Sequence, residues 1–467
     1  MKITKNNKSN RSNSMASATG TAQWSSRLAF ILAAIGCSVG LGNLWRFSAE
    51  AGSNGGGAFI AVYLGCVIFI GIPTLMSEFI IGRAGSASSS VNSIRDLSQR
   101  SGVAKAWDIG MWLGMLGSFL IISFYAVVAA WVMAYIPRFL NGAFDGQTPE
   151  QIAAQFDHLV ASPGDLMISF LIFCGLVIWL VARGLNRGIE LASKILMPAF
   201  FALLLALCIY SLISGWASGG TSQAIDFMFN PDFSKVTGKV MVSALGQAFF
   251  SIGLGMAMMV AYGSYLPKHI SIPQSAFIIG LADTMVALIA GLAIFPIVFK
   301  YGLDFQAGAG LFFKTLPTAL IATPGGNIIG AAFFCMAFFA ALTTGVAMLE
   351  VPAAHLSEQF KITKARSAIY MGVAMIAVGF VCLYSPGFLD FLDVGLTAPV
   401  LLPLSALLVV LFVGWRLDRA IMEAEFSDAD RKLGHFLLFF VRYVAPVMIT
   451  LILIAGIRDK YFPGLFS

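Results

Sequence analysis

The chain is a succession of long apolar blocks separated by short polar stretches. Eleven blocks approach the roughly 20 residues that an α-helix needs to cross about 30 Å of hydrocarbon. None shows the apolar and polar alternation over about ten residues that marks the strands of a membrane β-barrel. The pattern therefore predicts an all-α membrane protein with about 11 transmembrane helices. The predicted spans are 28–49, 58–81, 108–138, 164–182, 190–214, 240–265, 274–299, 327–356, 367–384, 388–415 and 435–457.

Composition and charge agree with this interpretation. Hydrophobic residues make up 58% of the chain and charged residues 11%, against about 45–50% and about 25% in soluble domains. The net charge of +6 would also suit nucleic acid, but Lys and Arg concentrate in alternate loops, as the positive-inside rule describes. We therefore expect a lipid bilayer and no nucleic acid as partner, and a cell (inner) membrane location with the N-terminus cytoplasmic.

The polar stretches are too short to hold a separate domain. Residues 1–24 are expected to form a cytosolic tail, and residues 25–467 a single membrane domain. The three longest outer loops are expected to be lids or partly helical caps; they are 141–163, 214–239 and 301–327.

Two spans carry almost the same glycine-rich peptide. Ser38–Asn43 reads SVGLGN in span one and Ser251–Met256 reads SIGLGM in span six. The second copy lies five spans after the first. Because five is an odd number, the second copy crosses the membrane in the opposite direction, which is the arrangement of an inverted repeat. Repeat one then covers about 25–215, repeat two about 240–415, and 435–457 is an extra helix.

Glycine pairs loosen a spanning helix, and backbone groups unpaired in hydrocarbon cost several kcal/mol each. Such a break must line a protected site, where freed carbonyls can bind Na⁺ and half-helix N-termini can face a carboxylate. The alternative for a single G-x-G is close helix packing. The paired occurrence favours a binding site at the centre of a transporter.

Two acidic residues lie within apolar spans, where a charge costs at least a few kcal/mol. Asp283 could place its carboxylate on a cation. Glu78 could be held by N–H groups of an unwound segment, or serve as a fixed hydrogen-bonding strut without ligand contact.

From Trp24 to about Phe439 the residues resemble the neurotransmitter:sodium symporter family of LeuT-like bacterial amino-acid transporters, in its 11-helix form. The resemblance implies the LeuT fold, a 5+5 inverted repeat with discontinuous helices 1 and 6. The stretches that carry it are Trp24-Ser-Ser-Arg-Leu28, Gly40-Leu-Gly-Asn-Leu-Trp-Arg-Phe47, Asn54-Gly-Gly-Gly-Ala-Phe59, Gly71-Ile-Pro73 with Glu78, and Gly246-Gln-Ala-Phe-Phe-Ser251.

The resemblance implies two sodium sites. The first would use the Ser38 carbonyl, Asn43, Ser251 and Asp283, with the substrate carboxylate. The second would use the carbonyls of Gly36, Val39 and Ala340 and the hydroxyls of Thr343 and Thr344. From the residues alone, adjacent hydroxyls in a span often bond only to their own helix backbone.

The resemblance also implies an amino-acid site beside the first sodium. Gly40 stands where monoamine carriers of the family have Asp, so the substrate is expected to keep its own carboxylate. Flexible methionines suit large apolar side chains, and we expect a neutral hydrophobic or aromatic amino acid. The substrate-binding residues would be Ser38, Leu41, Gly42, Ile121, Tyr125, Phe250, Ser251, Gly253, Met256 and Met348.

The family's gates carry over in part. Arg46 and Asp393 would form the outer pair, while Trp24, Tyr265 and Glu358 would act on the inner side. The spacing of Gly188 and Pro198 resembles a family segment that unwinds to admit water to the second sodium.

Three departures from the family pattern matter. Thr21 stands where the family usually has the Arg that pairs with the acid at Glu358. Asp283 replaces a common Asn and Ala287 the chloride-linked Ser, so Asp283 is expected to supply the negative charge and make chloride unnecessary. No helix is expected after span eleven, which leaves the oligomeric state open.

The sequence thus predicts a sodium-coupled symporter that imports an amino acid by alternating access. The alternative is an amino-acid-gated sensor or channel on the same fold, although the apolar gate residues Phe250 and Tyr125 argue against a polar pore. An enzyme is not expected, because the four histidines lack HExxH or other metal spacing.

Overall fold

The computed structural model describes residues 22–85, 87–303 and 309–462, and these residues form helices and connecting turns without β-strands. Within these residues nine helices are long and apolar enough to cross a membrane, and a bent pair makes a tenth span when its two halves are counted together. The helices are α1 (Arg27–Ser38), α2 (Gly42–Ser53), α3 (Gly57–Ala84), α4 (Ser90–Arg100), α5 (Lys105–Leu140), α6 (Pro149–Ala161), α7 (Pro163–Ala182), α8 (Leu185–Trp216), α9 (Gly220–Phe229), α10 (Gly238–Ile252), α11 (Met258–Ser264), α12 (Ile272–Lys300), α13 (Leu311–Ile321), α14 (Gly326–Phe360), α15 (Lys364–Tyr384), α16 (Pro386–Arg416), α17 (Arg419–Glu423) and α18 (Arg431–Tyr461).

Span one is broken where the first glycine peptide lies. Helix α1 ends at Ser38, and α2 begins at Gly42 after a bend of 60°. Val39 is extended, with φ −71° and ψ 99°, so the helical ladder stops there. A side chain at Gly42 has no room, since a Cβ would lie 2.7 Å from the Phe250 ring. Gly42 therefore allows a close aromatic neighbour at the start of α2.

Span six is broken at the second glycine peptide. Helix α10 ends at Ile252 and α11 begins at Met258. Gly253, Gly255 and Ala257 have φ values of 74°, 77° and 57°, and this left-handed backbone interrupts the helix. Neither half is long enough to cross hydrocarbon alone, and together they occupy the predicted sixth span. The predicted all-α fold with two discontinuous helices is confirmed.

The longer connections contain short helices. Helices α6 and α9 lie in the loops 141–163 and 214–239, and α13 lies in the loop 301–327, as expected of helical caps. Thr21 and the rest of the predicted tail up to residue 21 lie outside the described residues. Trp24 falls at the end of the predicted tail and is also expected at the inner gate. Its side chain is 3% exposed, so it packs into the membrane domain.

Helices α3 and α11 pack with their backbones almost in contact. A Cβ at Gly82 would lie 2.2 Å from the carbonyl oxygen of Val260 and 2.9 Å from the nitrogen of Ser264. Gly65, in the same helix, has open space around its Cβ position. The short helix α11 is thus held in place by a contact that only glycine permits.

We expect Gly82→Ala to destabilise the protein by about 1–3 kcal/mol, the usual cost of overpacking, because α11 must move away. Gly65→Ala is the matched control in the same helix and should keep the wild-type melting temperature. Thermal unfolding in detergent checks both, and equal melting temperatures would show that the α3–α11 contact yields without cost.

Candidate functional site

A cavity of about 400 Å³ lies where the two broken spans meet α5, α14 and α16. It is lined by both glycine peptides, so the breaks and the cavity coincide. All ten residues expected at a substrate line it: Ser38, Leu41, Gly42, Ile121, Tyr125, Phe250, Ser251, Gly253, Met256 and Met348.

One wall of the cavity carries backbone N–H groups. The first turn of α2 has N–H groups without helical partners, and the Leu41 N–H donates to the Tyr125 hydroxyl at 3.3 Å. A helix N-terminus attracts anions through these N–H groups and the helix dipole. This wall therefore suits a carboxylate.

Another part of the cavity wall is apolar and rich in sulfur. The Cys37 thiol donates to the Met258 sulfur at 3.7 Å. Met256 and Met348 also line the cavity, together with Ile121. This part suits an apolar group of some size.

Three polar side chains join the two repeats beside the cavity. The Asn43 amide Nδ2 donates to Ser251 Oγ and to Asp283 Oδ1, both at 2.8 Å. Ser251 Oγ donates to Asp283 Oδ2 at 2.6 Å. The Asn43 amide oxygen accepts the Gly40 N–H at 3.1 Å. All three side chains are at most 2% exposed, so the Asp283 carboxylate is buried and accepts hydrogen bonds from Asn43 and Ser251. Their carboxylate, hydroxyl and amide groups carry oxygen atoms of the kind a sodium ion takes as ligands.

A second polar cluster lies where α14 meets the break in span one. The Thr344 hydroxyl is 3.3 Å from the Gly36 carbonyl oxygen and 3.2 Å from that of Val39. Thr343 instead bonds within its own helix, 3.1 Å from the carbonyl oxygen of Ala340. Thus Thr344 bridges α14 to span one, while Thr343 makes the local backbone bond that such hydroxyls often make.

Glu78 serves the second break. Its Oε1 accepts the Gly255 N–H at 2.8 Å, and the side chain is fully buried. Glu78 does not line the cavity, which agrees with the strut interpretation and with an acid held by an unwound segment.

The expected outer pair lines the cavity but is not closed. Among the salt bridges of the described residues there is none between Arg46 and Asp393. The Arg46 guanidinium lies over the Phe250 ring at 4.5 Å from its centroid. Both charged residues face the cavity, and the pairing stays a prediction.

Two of the three expected inner residues, Trp24 and Tyr265, lie together. Trp24 donates its indole N–H to the Tyr262 carbonyl at 3.0 Å and its backbone N–H to the Tyr265 carbonyl at 3.2 Å. Tyr265, however, donates its hydroxyl to Glu350 at 3.0 Å, and Lys364 pairs with the same carboxylate at 2.5 Å.

Glu358 lies elsewhere on this side. It accepts the Ser88 hydroxyl at 2.8 Å, the Ser89 N–H at 2.9 Å and the Asn92 amide at 2.8 Å at the start of α4. Among the described residues Glu358 thus accepts its hydrogen bonds from the start of α4 and not from Trp24 or Tyr265, and its role at the inner gate stays a prediction. An acid within predicted span eight, 327–356, could have drawn attention to Glu350, because charges in spans are costly.

Three comparisons with known proteins bear on this site. The profile described as the sodium:neurotransmitter symporter family matches residues 21–147 and 149–464. The Bacillus subtilis protein named uncharacterized sodium-dependent transporter YhdH is 34% identical over 92% of this chain and 96% of its own. An uncharacterized sodium-dependent transporter of Haemophilus influenzae is 31% identical over 93% and 98%. The crystal structure of MhsT in complex with L-phenylalanine matches with a TM-score of 0.82 and 35% identity, over 94% of this chain and all of that one.

Glu78 generates a stability prediction. Glu78→Ala leaves the buried Gly255 N–H without an acceptor, a loss of about 1–3 kcal/mol. Glu78→Gln keeps a carbonyl oxygen at the same place and should lose less. Melting temperatures in detergent distinguish the two, and equal losses would mean that the carboxylate charge matters rather than the hydrogen bond.

Proposed function

The chain belongs to the sodium:neurotransmitter symporter family, and on this basis we propose that it is a sodium-coupled symporter. It would import a neutral, hydrophobic or aromatic amino acid by alternating access. The observation that carries the proposal is the meeting of Asn43, Ser251 and Asp283 at the edge of a cavity with an N–H wall and a sulfur-rich wall.

The first sodium would bind among Asn43, Ser251, Asp283 and the Ser38 carbonyl. Asn43 now turns its amide N–H toward Asp283 and its oxygen toward Gly40. Since Na⁺ takes oxygen ligands, we propose that ion entry reverses this amide and lets the oxygen face the ion. The substrate carboxylate would complete the shell and so couple ion to substrate.

The second sodium would bind at the cluster of Gly36, Val39 and Thr344, joined by Ala340 and Thr343. Thr344 already lies within 3.3 Å of two carbonyl oxygens. An ion there would take over the contact between α14 and span one. Each sodium that moves inward contributes about 2.3 kcal/mol per 100 mV, enough to concentrate a neutral solute.

The substrate would place its carboxylate on the N–H groups of Leu41 and Gly42 and on the Tyr125 hydroxyl. Its side chain would point toward Ile121 and the methionines. Two features support an amino acid with a large apolar side chain. The N–H wall suits the carboxylate of the substrate, and position 40 is glycine, so no acidic side chain of the protein takes the place of that carboxylate. The phenylalanine bound in MhsT supports the same class.

Access would alternate between two gates. On the outer side, closure would bring Arg46 toward Asp393 above the substrate. On the other side, Trp24 and Tyr265 lie in close packing, with ring centroids 6.4 Å apart. The conformation described here suits the state in which the inner side is closed.

The sodium site can be tested by binding. We expect the wild-type protein in detergent to bind neutral hydrophobic or aromatic amino acids only when sodium is present. Asn43→Ala and Asp283→Ala should weaken this binding at least tenfold, or about 1.4 kcal/mol, because each removes oxygen ligands. A screen of the twenty amino acids against a sodium titration measures both.

Asp165→Asn is the matched control, since this acid is exposed in the first turn of α7 and should leave binding unchanged. Absence of sodium dependence for every amino acid would overturn the symporter proposal. An amino-acid-gated ion current without uptake in liposomes would instead favour the channel alternative.

The charge of Asp283 gives a chloride prediction. Because this carboxylate supplies a fixed negative charge beside Ser251, we expect uptake in liposomes to be unchanged when gluconate replaces chloride. In Asp283→Asn, any residual uptake should become dependent on chloride. A steep loss in the wild type on removing chloride would contradict this assignment.

A further inference from the structure

One buried carboxylate fastens the first described residues to the start of α8. Glu190 is 3% exposed and accepts the Ser25 N–H at 3.1 Å, together with the Ser25 hydroxyl. It also accepts the Asn186 amide at 3.0 Å and pairs with Lys194 at 2.6 Å. Four donors therefore converge on one side chain.

Two of these donors, Asn186 and Lys194, also bind the residues on either side of Trp24. The Asn186 amide also donates to the Gln23 carbonyl oxygen at 3.0 Å. The Lys194 ammonium also donates to Ser25 Oγ at 3.0 Å. The residues before and after Trp24 are thus held by groups that Glu190 orients.

The position of Glu190 depends on an irregular start of α8. The segment Leu185–Glu190 is π-helical and follows Gly184, whose φ is 73°. A Cβ at Gly188 would lie 1.9 Å from the Leu180 carbonyl oxygen, so only glycine fits against α7 there. This geometry turns Glu190 toward Ser25.

Trp24 closes the protein on this side. Its side chain is buried, and it donates to the carbonyls of Tyr262 and Tyr265. The acid expected to hold this segment, Glu358, already accepts donors at the start of α4. Among the described residues, Glu190 is the acid that accepts hydrogen bonds from the segment around Trp24.

We propose that Glu190 is the acidic group of the inner gate, a positioning residue that holds Trp24 in its closed place through Ser25 and Gln23. The proposal rests on the alternating access proposed above. Release of this attachment would free Trp24 and open the cavity toward the side on which α1 begins.

Helices α1 and α8 connect the attachment at Glu190 to the proposed second sodium site. Ser26 caps α1 by accepting the Ala29 N–H at 3.1 Å, and α1 continues to Gly36. In α8, the Met197 sulfur lies 4.0 Å from the Thr343 hydroxyl. An ion that binds best when the inner side is closed would then bind more weakly once Glu190 is removed, because the two equilibria are linked.

The test uses Cys37, which lines the cavity, as a reporter of inner opening, with the other five cysteines replaced by alanine. Inside-out vesicles receive a membrane-impermeant methanethiosulfonate reagent. We expect Glu190→Gln and Glu190→Ala to label Cys37 at least fivefold faster than the parent, and to raise the sodium concentration for half-maximal amino-acid binding at least threefold. The Glu358→Gln control should stay within twofold of the parent in both.

The outcomes separate this proposal from the function. Unchanged labelling in both Glu190 variants, with sodium-dependent binding intact, overturns the gate role of Glu190. Faster labelling in Glu358→Gln alone transfers that role to Glu358. If the parent binds no amino acid, the symporter proposal fails, while the labelling rates still report the attachment. Ser25→Ala, at an exposed residue, should increase labelling if the Glu190 variants do not fold, and an unchanged rate there counts against the proposal.

Discussion

The structure depends on one constraint, that backbone N–H and C=O groups inside a bilayer must find partners within the protein. Two spans give up their helical bonds in the middle, and side chains, most of them from other helices, replace them. Asn43 serves the Gly40 N–H from within its own span. Five other replacements come from outside the broken span: Tyr125 for the Leu41 N–H, Thr344 for the Gly36 and Val39 carbonyls, Gln247 for the Gly42 carbonyl, Glu78 for the Gly255 N–H and Ser118 for the Met256 carbonyl.

These replacements explain why the site is where it is. A backbone group bonded to its own helix is not available to a ligand, whereas one served by a single hydroxyl can exchange that hydroxyl for an ion or a carboxylate at little net cost. The Thr344 hydroxyl and the Tyr125 hydroxyl are such partners. Helices α5 and α14 thus supply hydrogen-bond partners to the unwound backbone inside the bilayer. These partners can be exchanged, so the unwound backbone can still bind a ligand.

The sequence predicted the fold and the centre of the site well, because both follow from local patterns. Apolar length located the spans, and the repeated glycine peptide located the breaks; the ten residues assigned through the family resemblance all line one cavity. The contacts on the side where α1 begins could not be predicted in this way. Whether Glu358 or Glu350 meets Tyr265 depends on how three helices pack, and the resemblance carried over one acid without its usual Arg.

Glu190 illustrates the same limit. The sequence drew attention to Gly188 through its spacing from Pro198 and not through Glu190, and only the packed structure brings the Glu190 carboxylate to Ser25. A pattern that recurs along the chain is visible in one dimension. A contact between residues 165 positions apart is fixed only by the tertiary fold.

The sulfur-rich wall has a consequence for how the cavity discriminates. Met256, Met258 and Met348 rotate about several bonds and lack branched carbons near the backbone, so the wall can change its outline to follow what it touches. Such a surface selects ligand groups by their polarity more than by their shape. The strict geometry then falls to the opposite wall, where the backbone N–H of Leu41 is fixed by the start of α2. The cavity therefore combines one rigid wall with one deformable wall.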